Sequence, residues 1–204
     1  MARGPRIGPV TFREALQHFG SARAACASLA VASEAVIARE EAALGRAGGR
    51  FLVVGDAGYP TSLAALPDAP PVLSTIGGLS LLGRRTLAIV GAREASLAGR
   101  RFAGELATSL GNAGFAIVSG LARGIDAAAH EAALPTGTVA VMAGGIDQIY
   151  RPQNAGLQQA IAARGLLLAE APFGTPPVAR AAIASSAAWP PGSWWSRPRR
   201  ARAR

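Results

Sequence analysis

Apolar residues follow two rhythms along this chain. Near the front, Phe12, Ala15, Leu16 and Phe19 fall at the i, i+3, i+4, i+7 spacing of one helical face. Thr11 and Glu14 stand at capping-box spacing, with Gly8-Pro9 just ahead. Gly20 ends that helix and Ser21 caps the next. Ala22–Leu44 is alanine-rich and helical, broken once, and Gly48 and Gly49 close it. The second rhythm is continuous rather than periodic. Thr86–Val90, Phe115–Ser119, Thr138–Met142 and Leu166–Ala169 are unbroken runs that suit parallel strands buried on both faces. Helical stretches near 96–111, 125–134 and 154–164 separate them. Between the two regimes, 51–85 is a transition with short strands at Phe51–Val54 and Val72–Ile76 and a turn at Gly58-Tyr59-Pro60. Leu66–Pro71 is extended there, because a residue before proline is pushed out of the helical region.

The repeated strand–helix order predicts an α/β fold, a Rossmann-like doubly wound parallel sheet with right-handed crossovers. It is preceded by a small helical domain. The expected division is 1–48 helical, 49–176 Rossmann-like and 177–204 a disordered basic tail. In such sheets ligands bind beyond the carboxyl ends of the strands.

Composition sharpens the picture in one respect. All 21 basic residues are arginine, against 12 acidic ones, for a formal net charge of +9. Six of the arginines lie in 177–204, which holds no acid, so the first 176 residues carry only +3. Most of the apparent nucleic-acid charge therefore belongs to the tail, and a nucleic-acid reading must rest on where the other arginines sit. No apolar run approaches the roughly 20 residues of a membrane helix, and no secretory leader is evident. The single cysteine, Cys26, makes neither an internal disulfide nor a zinc site by itself. The expectation is a soluble cytoplasmic protein.

Two strand ends carry the candidate chemistry. One is Gly91-Ala92-Arg93, with Ser96 as cap of the following helix. The other is Ser119-Gly120-Leu121-Ala122-Arg123-Gly124-Ile125-Asp126. Each puts glycine backbone near a helix N-terminus, where N–H groups and the helix dipole favour an anion. Each adds an arginine able to fork onto a phosphate. The bland alternative is a tight strand-to-helix turn with no ligand. The first loop reads Gly91-Ala92-Arg93-Glu94-Ala95-Ser96 and lacks the dinucleotide fingerprint, and no Walker loop is present. Neither NAD nor ATP hydrolysis is expected, and no cofactor or metal. Asp126 and His130 share a helix face, which is read as a helix cap and a packed histidine rather than a metal or acid–base pair. A third strand end, Ala143-Gly144-Gly145-Ile146-Asp147, continues the edge. Tyr150 there stacks on a base or is a buried ring, and Asn154 is a candidate helix cap.

These motifs resemble the DNA-processing protein DprA family. Ala88–Arg93, Val118–His130, Gly144–Asp147 and Tyr150–Asn154 carry the likeness, which extends over 5–176 with Arg6–Pro9 and Gly58–Pro60. The resemblance implies a sterile-alpha-motif-like front module and an extended Rossmann-like domain, usually dimeric and non-catalytic. It implies binding of single-stranded DNA during natural transformation and recombination, and loading of the recombinase RecA. By position, Arg93 and Arg123 would pair with phosphates, while Gly91, Ser96, Ser119, Gly120 and Gly124 complete the DNA-binding set. Ala92 stands where the family usually has serine, which removes one hydroxyl.

After Pro176 the likeness stops, and a basic motif of the Arg-Asn-Arg-Ile-Ile kind is missing. With permitted codons, Ala182–Arg197 read in a displaced frame as Arg-Asn-Arg-Ile-Ile-Ser-Gly-Leu-Ala-Ser-Gly-Val-Val-Val-Val-Glu. A frameshift between Val178 and Ala182 is the expectation, and with it weak single-strand binding at best. Two other readings compete. A nucleotide-phosphate ribohydrolase of the lysine-decarboxylase-like group would need a Pro-Gly-Gly-x-Gly-Thr-x-x-Glu motif, which the chain lacks. An inert, misfolded fragment is the other.

Overall fold

The computed structural model describes residue 2 and residues 7–149 and 152–177. Expectations for Arg6, Tyr150 and Arg151, and for the tail from Val178 with its displaced reading frame, lie outside the described residues.

Helix α1 (Pro9–Phe19) starts ahead of the expected capping box. Gly8 is its N-cap, Pro9 opens it, and no side chain caps it. Proline at the first helical position has its φ already set and no N–H to satisfy, so Thr11 is drawn inside the helix. Gly20 ends α1 in the left-handed region, at φ 72°. Ser21 accepts from Ala24 N to cap α2 (Ala22–Ser28), and Ser33 caps α3 (Glu34–Arg46). The alanine-rich stretch is thus broken once, at 29–33.

Six strands form one sheet in the order β1-β2-β6-β5-β4-β3. They are β1 (Gly49–Val53), β2 (Val72–Gly77), β3 (Thr86–Ala88), β4 (Ala116–Ser119), β5 (Thr138–Met142) and β6 (Leu166–Ala169). From β3 to β6 neighbouring strands are parallel, and β2 and β1 add on antiparallel beside β6. The fold is Rossmann-like α/β. Strand β3 is shorter than its apolar run because it lies at the edge. Ile89 N still donates to Val118 O at 3.0 Å, and the chain then turns away.

The central strands are buried throughout, and their side chains alternate between two covered faces. Ile117, Ala140, Met142, Leu167 and Ala169 point one way, toward α3 and the crossover helices α5 (Leu97–Asn112), α6 (Ile125–Ala133) and α7 (Ala155–Arg164). Val118, Val139, Val141, Leu166 and Leu168 point the other way, onto Leu52, Tyr59, Leu63, Leu73 and Leu82. The winding is one-sided among the described residues. All three crossover helices share a face, and the transition segment with the short α4 (Thr61–Ala64) covers the opposite one. The helical front packs against the sheet. Leu44 of α3 is buried beside Phe51 and Ile76, and Glu40 Oε1 accepts from Phe173 N at 3.3 Å.

Two titratable groups, the buried His130 and the half-buried Glu170, shape the acid response in opposite senses. His130 on α6 is fully enclosed. Thr138 Oγ1 donates to Ile117 O at 2.9 Å, so at 2.7 Å it accepts from His130 Nδ1–H. Burial pushes the imidazole down from 6.5 to about 3, with the Ser119 backbone opposing it weakly. Glu170, just past β6, is pushed up from 4.5 to about 7 by burial and by Asp68 nearby. As pH falls below 6.5 the unfolded chain protonates His130 while the native state resists, which costs about 1.4 kcal/mol per pH unit. As pH falls below 7 the native state takes up a proton on Glu170 before the unfolded chain does, which gains a similar amount per unit down to 4.5.

The two slopes therefore cancel between about pH 6.5 and 4.5, and below that the loss from His130 is no longer offset by Glu170. Urea unfolding free energy should be nearly flat across that window and fall beneath it. In Glu170→Gln the decline should begin near pH 6.5, and the variant should be more stable than the parent at pH 8. Identical pH profiles for the two proteins would exclude this pairing.

Candidate nucleic-acid interface

The strands β3, β4 and β5 are parallel, so their carboxyl ends deliver three loops to one edge of the sheet. What holds the first two loops is a carboxylate. Asp126 lies in the first turn of α6 and is 5% exposed. Its Oδ1 accepts from Gly91 N and its Oδ2 from Gly120 N, each at 3.1 Å. Asp126 therefore does not cap its own helix; Gly124 is the N-cap, with no side-chain bond. The two N–H groups that the sequence offered to a phosphate are occupied from within. Burial raises the Asp126 pKa, and the N–H groups of Gly91, Gly120 and Ala122 pull it back.

Around this tie the loops interlock. Ile125 N donates to Ala92 O at 3.3 Å. Gly124 has φ +84°, and a Cβ there would strike Ala92 O. A Cβ on Gly91 would lie 2.7 Å from Ile125 Cγ1. The glycines are thus required by loop-on-loop packing, whether or not an anion binds. Ser119 is fully buried, and its Oγ donates to Ile89 O at 2.6 Å, joining β4 to the end of β3. Leu121 is held at φ 54°, the left-handed region that non-glycine residues rarely enter. Its side chain is buried with Ile146 and Ile161, and its carbonyl accepts from Asn154 Nδ2 at 2.9 Å. Asn154 sits at the N-cap of α7 as its position suggested, but its side chain serves the second loop instead of the helix.

With Leu121 turned inward, Arg123 projects outward and is half exposed. It pairs with Glu94 of the first loop, Nη2 to Oε1 at 2.8 Å. Arg93 is exposed on that same loop. Ser96 caps α5 as expected, accepting from Gly99 N at 3.1 Å. The structure therefore brings together Gly91, Arg93, Ser96, Ser119, Gly120, Arg123 and Gly124, with the arginine side chains outermost. Glu94 and Asp126 are the residues that sequence reasoning under-weighted. An acid in the first turn of a helix that follows a glycine loop was the available signal for Asp126.

The third loop behaves differently. Gly144 and Gly145 are buried beneath 172–177. Gly145 N donates to Thr175 O at 2.9 Å, and Asp147 accepts from Gly174 N at 3.0 Å. The edge is covered by the chain itself at that point. No described helix is long and apolar enough to cross a membrane.

A family model described as DNA recombination-mediator protein A matches residues 50–184, about two thirds of the chain. The helical front, expected to be sterile-alpha-motif-like, matches a DprA-like N-terminal HHH domain over residues 1–43. Among relatives, Protein Smf of Synechocystis sp. is 42% identical over 134 residues, covering 63% of this chain and 34% of its own length. DNA processing protein DprA of Streptococcus pneumoniae is 41% identical over 122 residues, covering 59% of this chain and 43% of its own. The crystal structure of the Streptococcus pneumoniae protein superposes with a TM-score of 0.67 at 33% identity, over 77% of this chain and 54% of that one. DNA processing protein A from Helicobacter pylori, described for its single-stranded DNA binding mode, gives 0.59 at 30% identity, over 67% and 62%. The chain spans well under half the length of the curated relatives it matches.

The Asp126 tie generates a stability prediction. Asp126→Ala leaves two partly buried N–H groups without their acceptor and should cost about 1–3 kcal/mol in urea unfolding. Arg93→Ala, a change on the exposed rim, should stay within about 0.5 kcal/mol. Equal, small effects for the two would mean that the carboxylate does not hold the loops.

Proposed function

The chain belongs to the DNA recombination-mediator protein A family, and from that premise we propose that it binds single-stranded DNA along the edge formed by the first two loops. The observation that carries this reading is the placement of Arg93 and Arg123 at the tips of adjacent, mutually locked loops, ahead of the N-termini of α5 and α6. Adjacent parallel strands lie about 4.8 Å apart. Two guanidinium groups on neighbouring strand ends can thus follow successive phosphates of an extended backbone. Because Asp126 already takes Gly91 N and Gly120 N, the arginine side chains make the phosphate contacts, and Gly91, Ser119, Gly120 and Gly124 hold the loops in shape. Ser96 fixes the start of α5, whose positive dipole end faces the strand.

In this reading the role is binding and delivery, since what the edge presents is a pair of exposed guanidinium groups on locked loops. The Gly144-Gly145 loop is packed under Pro172–Thr175 and offers a ribohydrolase no room. In this reading the protein acts in the cytoplasm, passes its strand to RecA, and pairs with a second copy of itself. Acceleration of RecA filament growth on single strands tests the hand-over.

Binding itself is tested by fluorescence anisotropy of a labelled single-stranded oligonucleotide across a salt series, with duplex DNA as competitor. The full chain is compared with Arg93→Ala, Arg123→Ala and the double variant, so that the arginine-rich tail is common to all. Each substitution should weaken binding several-fold and flatten the plot of log affinity against log salt by about 0.7. If the double variant keeps the parent's affinity and slope, the strand lies elsewhere, and binding by the tail arginines alone would give that result.

A further inference from the structure

We propose that Glu94 is an internal competitor for the phosphate at Arg123 and so sets how tightly this edge holds a single strand. The proposal rests on the single-strand reading above and names the regulation of that same site.

Glu94 reaches from the first loop to the second and meets Arg123 at 2.8 Å. Its side chain is 86% exposed, and that of Arg123 is 50% exposed. The two carboxylates of the region thus differ in kind. Asp126 is buried and engaged by the backbone. Glu94 stands in solvent, on the outer side of the loops, against the group that should meet DNA. To a guanidinium, a carboxylate oxygen and a phosphate oxygen offer the same charge-assisted hydrogen bond. A phosphate that takes the Nη2 donor of Arg123 displaces Glu94, and one that takes its other N–H groups still shares the guanidinium with Glu94; in either case the carboxylate stays beside the strand as a like charge.

Both effects lower affinity, and both are modest because the pair is solvated. Exposed ion pairs of this kind correspond to about a two- to fivefold change in an equilibrium constant. The repulsion between Glu94 and the strand is felt within a Debye length, about 10 Å at 0.1 M salt, and contracts as salt rises. Glu94 therefore weakens binding most at low salt and least at high salt.

The test uses the full chain, Glu94→Gln, Arg123→Ala and the double variant, with a labelled thymidine oligonucleotide read by anisotropy at low and high salt. Gln keeps the length of the side chain at an exposed position, and thermal melts confirm that all four proteins fold alike. We expect Glu94→Gln to bind about two- to fivefold more tightly at low salt, with a smaller gain at high salt. The gain should vanish once Arg123 is Ala, because the competition acts through that side chain. Equal or weaker binding by Glu94→Gln overturns the proposal, since it would make Glu94 a support that orients Arg123. A gain that persists undiminished without Arg123 also overturns it. If Arg123→Ala binds like the parent, or if no variant binds at all, the single-strand reading itself fails and takes this proposal with it.

Discussion

The carboxylate of Asp126 is the fixed point from which the functional edge is built. Where a parallel strand ends in a glycine turn and a helix begins, backbone N–H groups converge without partners, and some anion must meet them. In many α/β proteins the anion is a ligand. Here the side chain supplies it, bridging Gly91 and Gly120 across two adjacent strands. Once that bridge exists, little freedom remains. Gly91 must stay small because Ile125 fills the space beside it, and Gly124 must stay glycine because Ala92 O lies where a Cβ would go. Leu121 accepts an unfavourable φ because its side chain and its carbonyl are both held from below. The loops are preorganised, and the arginines inherit their positions from that rigidity.

Helix α6 is where the locking converges. Asp126 and His130 stand one turn apart and both face the sheet. The first reaches up to the loops, and the second reaches down through Thr138 to Ile117 O, linking the helix to β5 and β4. Ser119 adds a third polar link, from β4 to the end of β3. Asp126, Ser119 and the Nδ1 of His130 are buried and partnered, which lets these atoms specify a register instead of weakening a core, while His130 Nε2 is buried without a hydrogen-bond partner. In the proposed single-strand reading, such cross-links keep the edge from deforming under a charged strand better than further apolar contacts, which are less directional.

The sequence made the scaffold readable because its signals were local. The continuous apolar runs at Ala116–Ser119, Thr138–Met142 and Leu166–Ala169 are strands, and Ser96 and Ser21 cap the helices they precede. The errors arose where one residue had two possible partners. Thr11 looked like a cap, but Pro9 opens the helix earlier. Asn154 is the N-cap residue of α7 as its position suggested, but its side chain serves Leu121, 33 residues away. The third strand end, with Gly144-Gly145, was expected to continue the edge and is covered by Pro172–Pro177, a contact between distant segments that no periodicity announces. The same holds for Glu94. Its proximity to Arg123 comes from the register of β3 against β4 and is invisible to spacing along the chain.

Charge illustrates why the placement of groups outweighs their sum. A net of +9 suggests a polycation attracted to any nucleic acid, yet the residues before 177 carry only +3. At physiological salt, charges beyond about 8 Å are largely screened, so the field at the loops is set by the groups close to them. In the proposed single-strand reading, a strand at this edge meets Arg93 and Arg123, with Glu94 held against the latter. Recognition by so few charges has to come from fixed positions, and the Asp126 lock fixes them. Attraction without such positions would be strong at low salt and blind to the difference between one strand and two. In the proposed reading, arginines spaced by the strands and partly neutralised by a carboxylate of their own exchange raw affinity for a requirement that the phosphates arrive in the right place.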